Sequence, residues 1–187
     1  MTFILISGDP DTGKTHVCQE LRDILDQDPS FAKPATPKQV QVKEVLRHYE
    51  KKGKHIVLNS AADDDRCMER LARYIDRLGA RPDIIITTIR ETDVQHDQMS
   101  RMLALLDAYA SSMTNLAAHY VSGIKTKPIH TPFAPDALST HAFVLHLERQ
   151  PLSGTEEEQE QALTAYWDDN AETAKQMLDL AIARLEA

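Results

Sequence analysis

A short segment near the start of the chain combines two glycines, a lysine and a threonine at a spacing that suits phosphate binding. In GDPDTGKT, residues 8–15, Lys14 and Thr15 directly follow the second glycine. Glycines let a backbone turn bring its N–H groups against phosphate oxygens, and the start of a helix attracts the same anion. Lysine supplies a mobile cation for the outer phosphates, and a threonine hydroxyl can ligate Mg²⁺. The spacing therefore indicates a binding site for the phosphates of a magnesium-bound nucleotide.

The segment lies between a predicted strand and a predicted helix. Residues Thr2–Ile6 form a short apolar run, and apolar positions over Lys14–Leu25 fall on one side of a helix. A plain glycine turn between a strand and a helix would need neither the lysine nor the threonine. The position between a strand and a helix favours the phosphate-binding site over this alternative.

In this context GDPDTGKT fits G-x-x-x-x-G-K-S/T at every fixed position, and it resembles the Walker A motif of the P-loop NTPase superfamily. The resemblance covers about residues 2–25, and beyond them only the order of elements is similar to that of small P-loop kinases. It implies the fold of P-loop containing nucleoside triphosphate hydrolases, with ATP and Mg²⁺ as cofactors. Lys14 would then also act in catalysis and Thr15 would ligate the metal. The residues implied to bind the nucleotide are Gly8, Asp11, Thr12, Gly13, Lys14, Thr15 and His16.

Two aspartates within the motif, Asp9 and Asp11, are unusual for a phosphate-binding site because they carry the same sign of charge as phosphate. Many P-loop kinases have glycine at the position of Asp11, whereas GTPases of the elongation-factor type commonly carry aspartate there. Aspartate tolerates unusual backbone angles better than most residues, so Asp11 can point its carboxylate outward and its N–H inward. We expect Asp9 and Asp11 to weaken binding of the bare triphosphate and so to favour its Mg²⁺ complex.

Neither of the two predicted interior strands ends in a metal-holding acid, as Walker B strands do. The apolar run HIVLNS ends in Asn59 and Ser60, and DIIITTIR carries Thr87 and Thr88 near its end. The nearest acidic residues are those of DDD, residues 63–65, and Asp63 is the predicted metal ligand and catalytic carboxylate because it stands nearest the strand end. The alternative is that these aspartates only cap the following helix and complement its dipole.

Positive side chains are needed to stabilise a transferring phosphoryl group. Arg90 directly follows an interior strand and is the predicted catalytic clamp, with a surface ion-pair residue as the alternative. Lys125 and Lys127 lie in an irregular, lid-like segment over residues 120–140, which could also be a simple connection.

Strands alternating with helices predict a single α/β domain over residues 1–187, a three-layer α/β/α fold around a mainly parallel sheet. The loops after Ser7, Leu58, Ile89 and Leu147 should then share the sheet edge where ligands bind. A β-hairpin is expected around residues 39–59, with a helix over Lys43–Lys51 as the rival. Further expected elements are a helix over Asp63–Leu78, a long helix from Gln95 to about His119, a strand in HAFVLHL and a helical segment over 155–186, opened by a capping box of Thr155 and Glu158.

Composition narrows the classes of protein. The chain has 187 residues, 42% of them hydrophobic and 27% charged, as in ordinary globular domains. Its formal net charge of −8 argues against general nucleic-acid binding. The sequence shows neither a signal peptide nor a membrane-spanning run, and its two cysteines, Cys18 and Cys67, have the pattern of reduced thiols, so a cytoplasmic protein is expected.

Three functions are open at this point. The first is transfer of the γ-phosphoryl of Mg-ATP to a small acceptor, a nucleotide or a metabolite. The second is an NTP-driven ATPase or switch that acts on a protein partner, and the third is nucleotide binding without turnover. A GTPase would need N-K-x-D, which does not occur. An apolar helix stripe that includes Met99, Met102 and Leu106 could face the core or a second copy in a homodimer.

Overall fold

The structure is a computed structural model, and it describes most of the chain. The described residues are 2–9, 11–34, 44–61, 65–78, 80–90, 118–119, 142–148 and 152–187. The predicted long helix over 95–117, the lid-like segment 120–140 and Asp63 lie outside these residues.

The described elements are six strands and three helices. The strands are β1 (Thr2–Gly8), β2 (Leu46–Lys51), β3 (Lys54–Asn59), β4 (Ile84–Arg90), β5 (Ala118–His119) and β6 (Ala142–Leu147). The helices are α1 (Lys14–Gln27), α2 (Asp65–Arg77) and α3 (Glu156–Glu186). None of the described helices is long and apolar enough to cross a membrane.

The strands form one mixed sheet in an α/β arrangement. Their order is β2-β3-β4-β1-β6-β5, so β1 lies inside the sheet between β4 and β6. Strands β3, β4, β1, β6 and β5 run parallel, and β2 pairs antiparallel with β3 at one edge. Parallel strands need covered faces, which agrees with the nearly continuous apolar runs of β1 and β4.

The core lies where α1 and α3 pack on the sheet. Alternate residues of β1, such as Ile4 and Ile6, are fully buried against apolar side chains of both helices. The intervening Phe3 and Leu5 face the other side of the sheet and are only 2% exposed. Both faces of β1 are therefore closed to water, and this strand is a rigid base for the loop that follows it.

Most element predictions that fall on described residues are confirmed, and one is corrected. The hairpin is β2–β3, so the rival helix over 43–51 is wrong, because its residues 46–51 pair with β3 instead. The Lys52-Gly53 turn closes this hairpin with positive φ at both residues. Ala118 and His119, predicted as the end of a long helix, pair with β6 as a strand.

Helix α3 begins with the predicted capping box. The Thr155 hydroxyl accepts from the Glu158 N–H at 3.3 Å, and the Glu158 carboxylate accepts from the Thr155 N–H at 2.7 Å. The Thr155 N–H, and then the Thr155 hydroxyl that donates to the same carboxylate at 3.0 Å, hold the pKa of Glu158 below its usual value. Because α3 follows β6, it starts at the carboxyl edge of the parallel strands, which brings its first turns toward the loop after β1.

The two cysteines differ in their surroundings. Cys18 is fully buried on the inner side of α1, and burial raises the pKa of its thiol to about 12 against the opposing effect of Lys14. Cys67 is half-buried, and the two cysteines are not joined in a disulfide. Of the two thiols, only Cys18 is fully enclosed by the protein.

A histidine pair in the hairpin makes stability depend on pH. His48, 5% exposed, places its Nε2 atom 3.1 Å from Nδ1 of His55. Burial, and then the nearby His55, lower the pKa of His48 against an opposing effect of Glu50. As the pH falls below about 6.5, the ordinary pKa of histidine, His48 is protonated in the unfolded chain before it is protonated in the native state. The free energy of unfolding should therefore decrease as the pH falls below this value.

We expect His48→Asn to flatten this pH dependence. The free energy of unfolding in urea, measured between about pH 7.5 and 5.5, should decrease less steeply in the variant than in the wild type. The carboxylates are the same in both proteins, so their contribution cancels in the comparison of slopes. Equal slopes would show that His48 takes up its proton without cost to the fold.

Candidate functional site

The candidate site begins where β1 ends, in the middle of the carboxyl edge of the sheet. Gly8 is in register with Arg90 of β4 on one side and with Leu147 of β6 on the other. The ends of the parallel strands share this edge, as the sequence predicted. We call residues 8–15 the glycine loop; Pro10 within it lies outside the described residues.

Close approaches explain why glycine occupies both ends of this loop. A Cβ atom on Gly8 would come within 2.6 Å of Thr12 Oγ1 and 2.7 Å of the Leu147 carbonyl oxygen. Gly13 has φ +86°, and Asp11 also lies in the left-handed region with φ +64°. Asp11 is exposed, so its carboxylate faces water while the backbone turns beneath it. The loop thus obtains its tight curvature from two glycines and one tolerant aspartate.

The Lys14 side chain lies inside this curve rather than in solvent. It is 8% exposed, and its Nζ donates to the carbonyl oxygens of Gly8 at 2.8 Å and Asp9 at 2.6 Å. Thr12 Oγ1 donates to the same Asp9 oxygen at 2.9 Å. These bonds place the Lys14 ammonium at the rim of the loop, where it could also reach the oxygens of a bound anion.

The start of α1 faces the same space. The N-cap residue of α1 is Gly13, so no side chain accepts a hydrogen bond from the first N–H groups of the helix. The first turn of α1 also contains no acidic residue. The first helical hydrogen bond runs from the Val17 N–H to the Gly13 carbonyl oxygen at 3.0 Å. N–H groups in the first turn of a helix have no acceptor within the helix, and the helix dipole favours an anion beside them. Thr15 is half-buried and His16 exposed at this end.

Trp167 of α3 joins the site from the far end of the chain. Its indole stacks on the His16 ring with centroids 4.0 Å apart and planes 10° from parallel. A Cβ atom on Gly13 would lie 2.9 Å from Trp167 Cδ1 and closer still to Nε1. The apolar spacing of α3 predicts that Trp167 packs in the core, and it does pack against the core, half-buried. The contact with His16 and Gly13 was missed, since apolar spacing on α3 carries no information about its neighbour.

Buried polar side chains occupy the ends of β3 and β4. Asn59 Nδ2 donates to the Ala61 carbonyl oxygen at 2.6 Å and to Thr87 Oγ1 at 3.1 Å. Thr88 Oγ1 donates to the Ser60 carbonyl oxygen at 3.0 Å. These side chains are at most 3% exposed, and they are neutral at the positions where an acid would hold a metal. They tie the two strand ends together.

The other predicted site residues are placed only in part. The backbone of Arg90 ends β4 in register with Gly8, which puts this residue at the rim of the glycine loop. Asp63 lies outside the described residues, in the sequence between the end of β3 at Asn59 and the start of α2 at Asp65. The structure therefore brings together Gly8, Asp11, Thr12, Gly13, Lys14, Thr15, His16 and the backbone of Arg90.

Comparisons with known proteins give no relative for this arrangement: no protein-family model, no curated protein and no solved structure matches the chain.

Proposed function

We propose that the glycine loop and His16 bind the triphosphate of Mg-ATP, and that the chain adopts the three-layer fold of the P-loop NTPases. The observation that carries this proposal is the buried Lys14 ammonium, held 2.8 Å and 2.6 Å from two carbonyl oxygens of its own loop. Burying an ammonium is costly, and a loop that serves only as a connection gains little from it. Phosphate binding would explain the buried position, because the ammonium could exchange these carbonyl oxygens for phosphate oxygens.

The surroundings of Lys14 support an anion of high charge. The uncapped start of α1 supplies N–H donors, and the Thr15 hydroxyl beside it can ligate Mg²⁺. A magnesium ion would lower the net charge of the ligand near Asp9 and Asp11. Asp63 is proposed as a further metal-holding or catalytic acid on the basis of its sequence position alone.

We propose phosphoryl transfer from Mg-ATP to a small acceptor as the reaction. It is supported by the register of Arg90 with Gly8, because an arginine at the rim of the loop can stabilise charge on a transferring phosphoryl group. The second candidate is an ATPase or switch that acts on a protein partner. It is favoured by Asn59, a neutral amide where a metal-holding carboxylate would promote fast turnover.

Release of ADP from Mg-ATP separates these candidates. We would measure it with the purified protein alone and with pooled nucleotide and metabolite acceptors, beside the Lys14→Ala variant. Release that requires a pool supports the kinase, and fractionation of the pool then identifies the acceptor. Release that is independent of every pool but lost in the variant supports the ATPase or switch. Tight ATP binding with no release supports a binding protein, and failure to bind Mg-ATP at all contradicts the site.

A further inference from the structure

The aromatic pair beside the glycine loop has one uncovered face. His16 is exposed, while Trp167 lies behind it, half-buried against the core. The two rings are stacked nearly parallel, with planes 10° from parallel and centroids 4.0 Å apart. Trp167 therefore covers one face of the His16 ring, and the other face of the His16 ring is open to solvent.

The position of this face along the loop matters for a bound nucleotide. Lys14 would contact the outer phosphates, and the backbone N–H groups at the start of α1 would contact the inner ones. The sugar and the base would then leave the loop on the helix side. His16 is two residues beyond Lys14 on that side, in the first turn of α1.

We propose that the outer face of His16 is a stacking platform for the nucleobase, with Trp167 as its rigid backing. This inference rests on the proposed function, and it adds the base to a site so far built only for phosphates. Stacking on an aromatic face suits any nucleobase, because every base has a π-face. The platform therefore predicts a preference for nucleotides over bare polyphosphate and little discrimination between adenine and guanine.

The test compares ligands that share a triphosphate but differ in the base. Dissociation constants for Mg-ATP, Mg-GTP and magnesium tripolyphosphate would be measured by calorimetry on the wild type, His16→Ala and His16→Phe. We expect the wild type to bind both nucleotides about tenfold more tightly than tripolyphosphate, a typical gain for one stacked base. The ratio should fall close to one in His16→Ala and be retained in His16→Phe, whose ring can still stack.

Two variants complete the design. Trp167→Leu removes the backing and should lower the ratio in part, while Glu20→Ala, on α1 beyond the first turn, is a control that should leave it unchanged. An unchanged ratio in His16→Ala would overturn the platform while leaving the phosphate site intact. Failure of the wild type to bind tripolyphosphate and both nucleotides would overturn the proposed function and the platform together.

Discussion

Replacing Lys14 with alanine should remove most nucleotide binding and turnover while the protein remains folded. A charge-assisted hydrogen bond contributes about 1.5–3 kcal/mol, so affinity for Mg-ATP should fall roughly tenfold to a hundredfold. Turnover should fall further, by roughly a hundredfold to a thousandfold, since the ammonium also stabilises charge that develops during transfer. Calorimetry and ADP release measure the two effects separately.

The fold should tolerate the Lys14→Ala change. Lys14 Nζ donates to two carbonyl oxygens, but the Asp9 oxygen also accepts from Thr12 Oγ1 at 2.9 Å, and removing a buried charge offsets part of the loss. We expect the free energy of unfolding to decrease by about 1 kcal/mol. Lys33→Ala is the matched control, because Lys33 is an exposed lysine paired with Asp26 at 3.5 Å, outside the site. A Lys14→Ala protein that is folded and fully active would show that the glycine loop does not hold the nucleotide.

Local sequence patterns predicted most elements of this fold, though not β5, because each pattern depends only on its own segment. The periodicity of α1, the capping box of Thr155 and Glu158, and the Lys52-Gly53 turn are all decided within a few residues. The hairpin shows where such patterns become ambiguous. A helix over 43–51 was a plausible rival, and pairing of β2 with β3 decided against it.

The candidate site was predictable only where it is local. The glycine loop is continuous in sequence, so its residues could be named before the structure. The stack of His16 on Trp167 and the bond from Asn59 to Thr87 depend on which elements become neighbours. The strand order β2-β3-β4-β1-β6-β5 sets those neighbours, and no short-range pattern encodes it.

Replacing Gly13 with alanine should be strongly destabilising because two penalties act at one atom. Gly13 has φ +86°, where a side chain costs about 1–2 kcal/mol. The new Cβ atom would also overlap the Trp167 indole, with Cδ1 only 2.9 Å away, and overpacking adds about 1–3 kcal/mol. We expect a loss of about 2–5 kcal/mol in the free energy of unfolding, measured in denaturant. Affinity for Mg-ATP should fall as well, since the N–H groups at the start of α1 must shift.

A second glycine separates the two penalties. Gly53 has a similar φ of +72°, but a Cβ atom there would have nothing within 4 Å. Gly53→Ala should therefore cost only the backbone term, about 1–2 kcal/mol, and leave nucleotide binding unchanged. In a Trp167→Ala background the overlap disappears, so the additional cost of Gly13→Ala should shrink toward that of Gly53→Ala. Equal costs for the two glycine variants in the wild-type background would mean that Trp167 does not press on the glycine loop, and that α3 and the phosphate site are independent of each other.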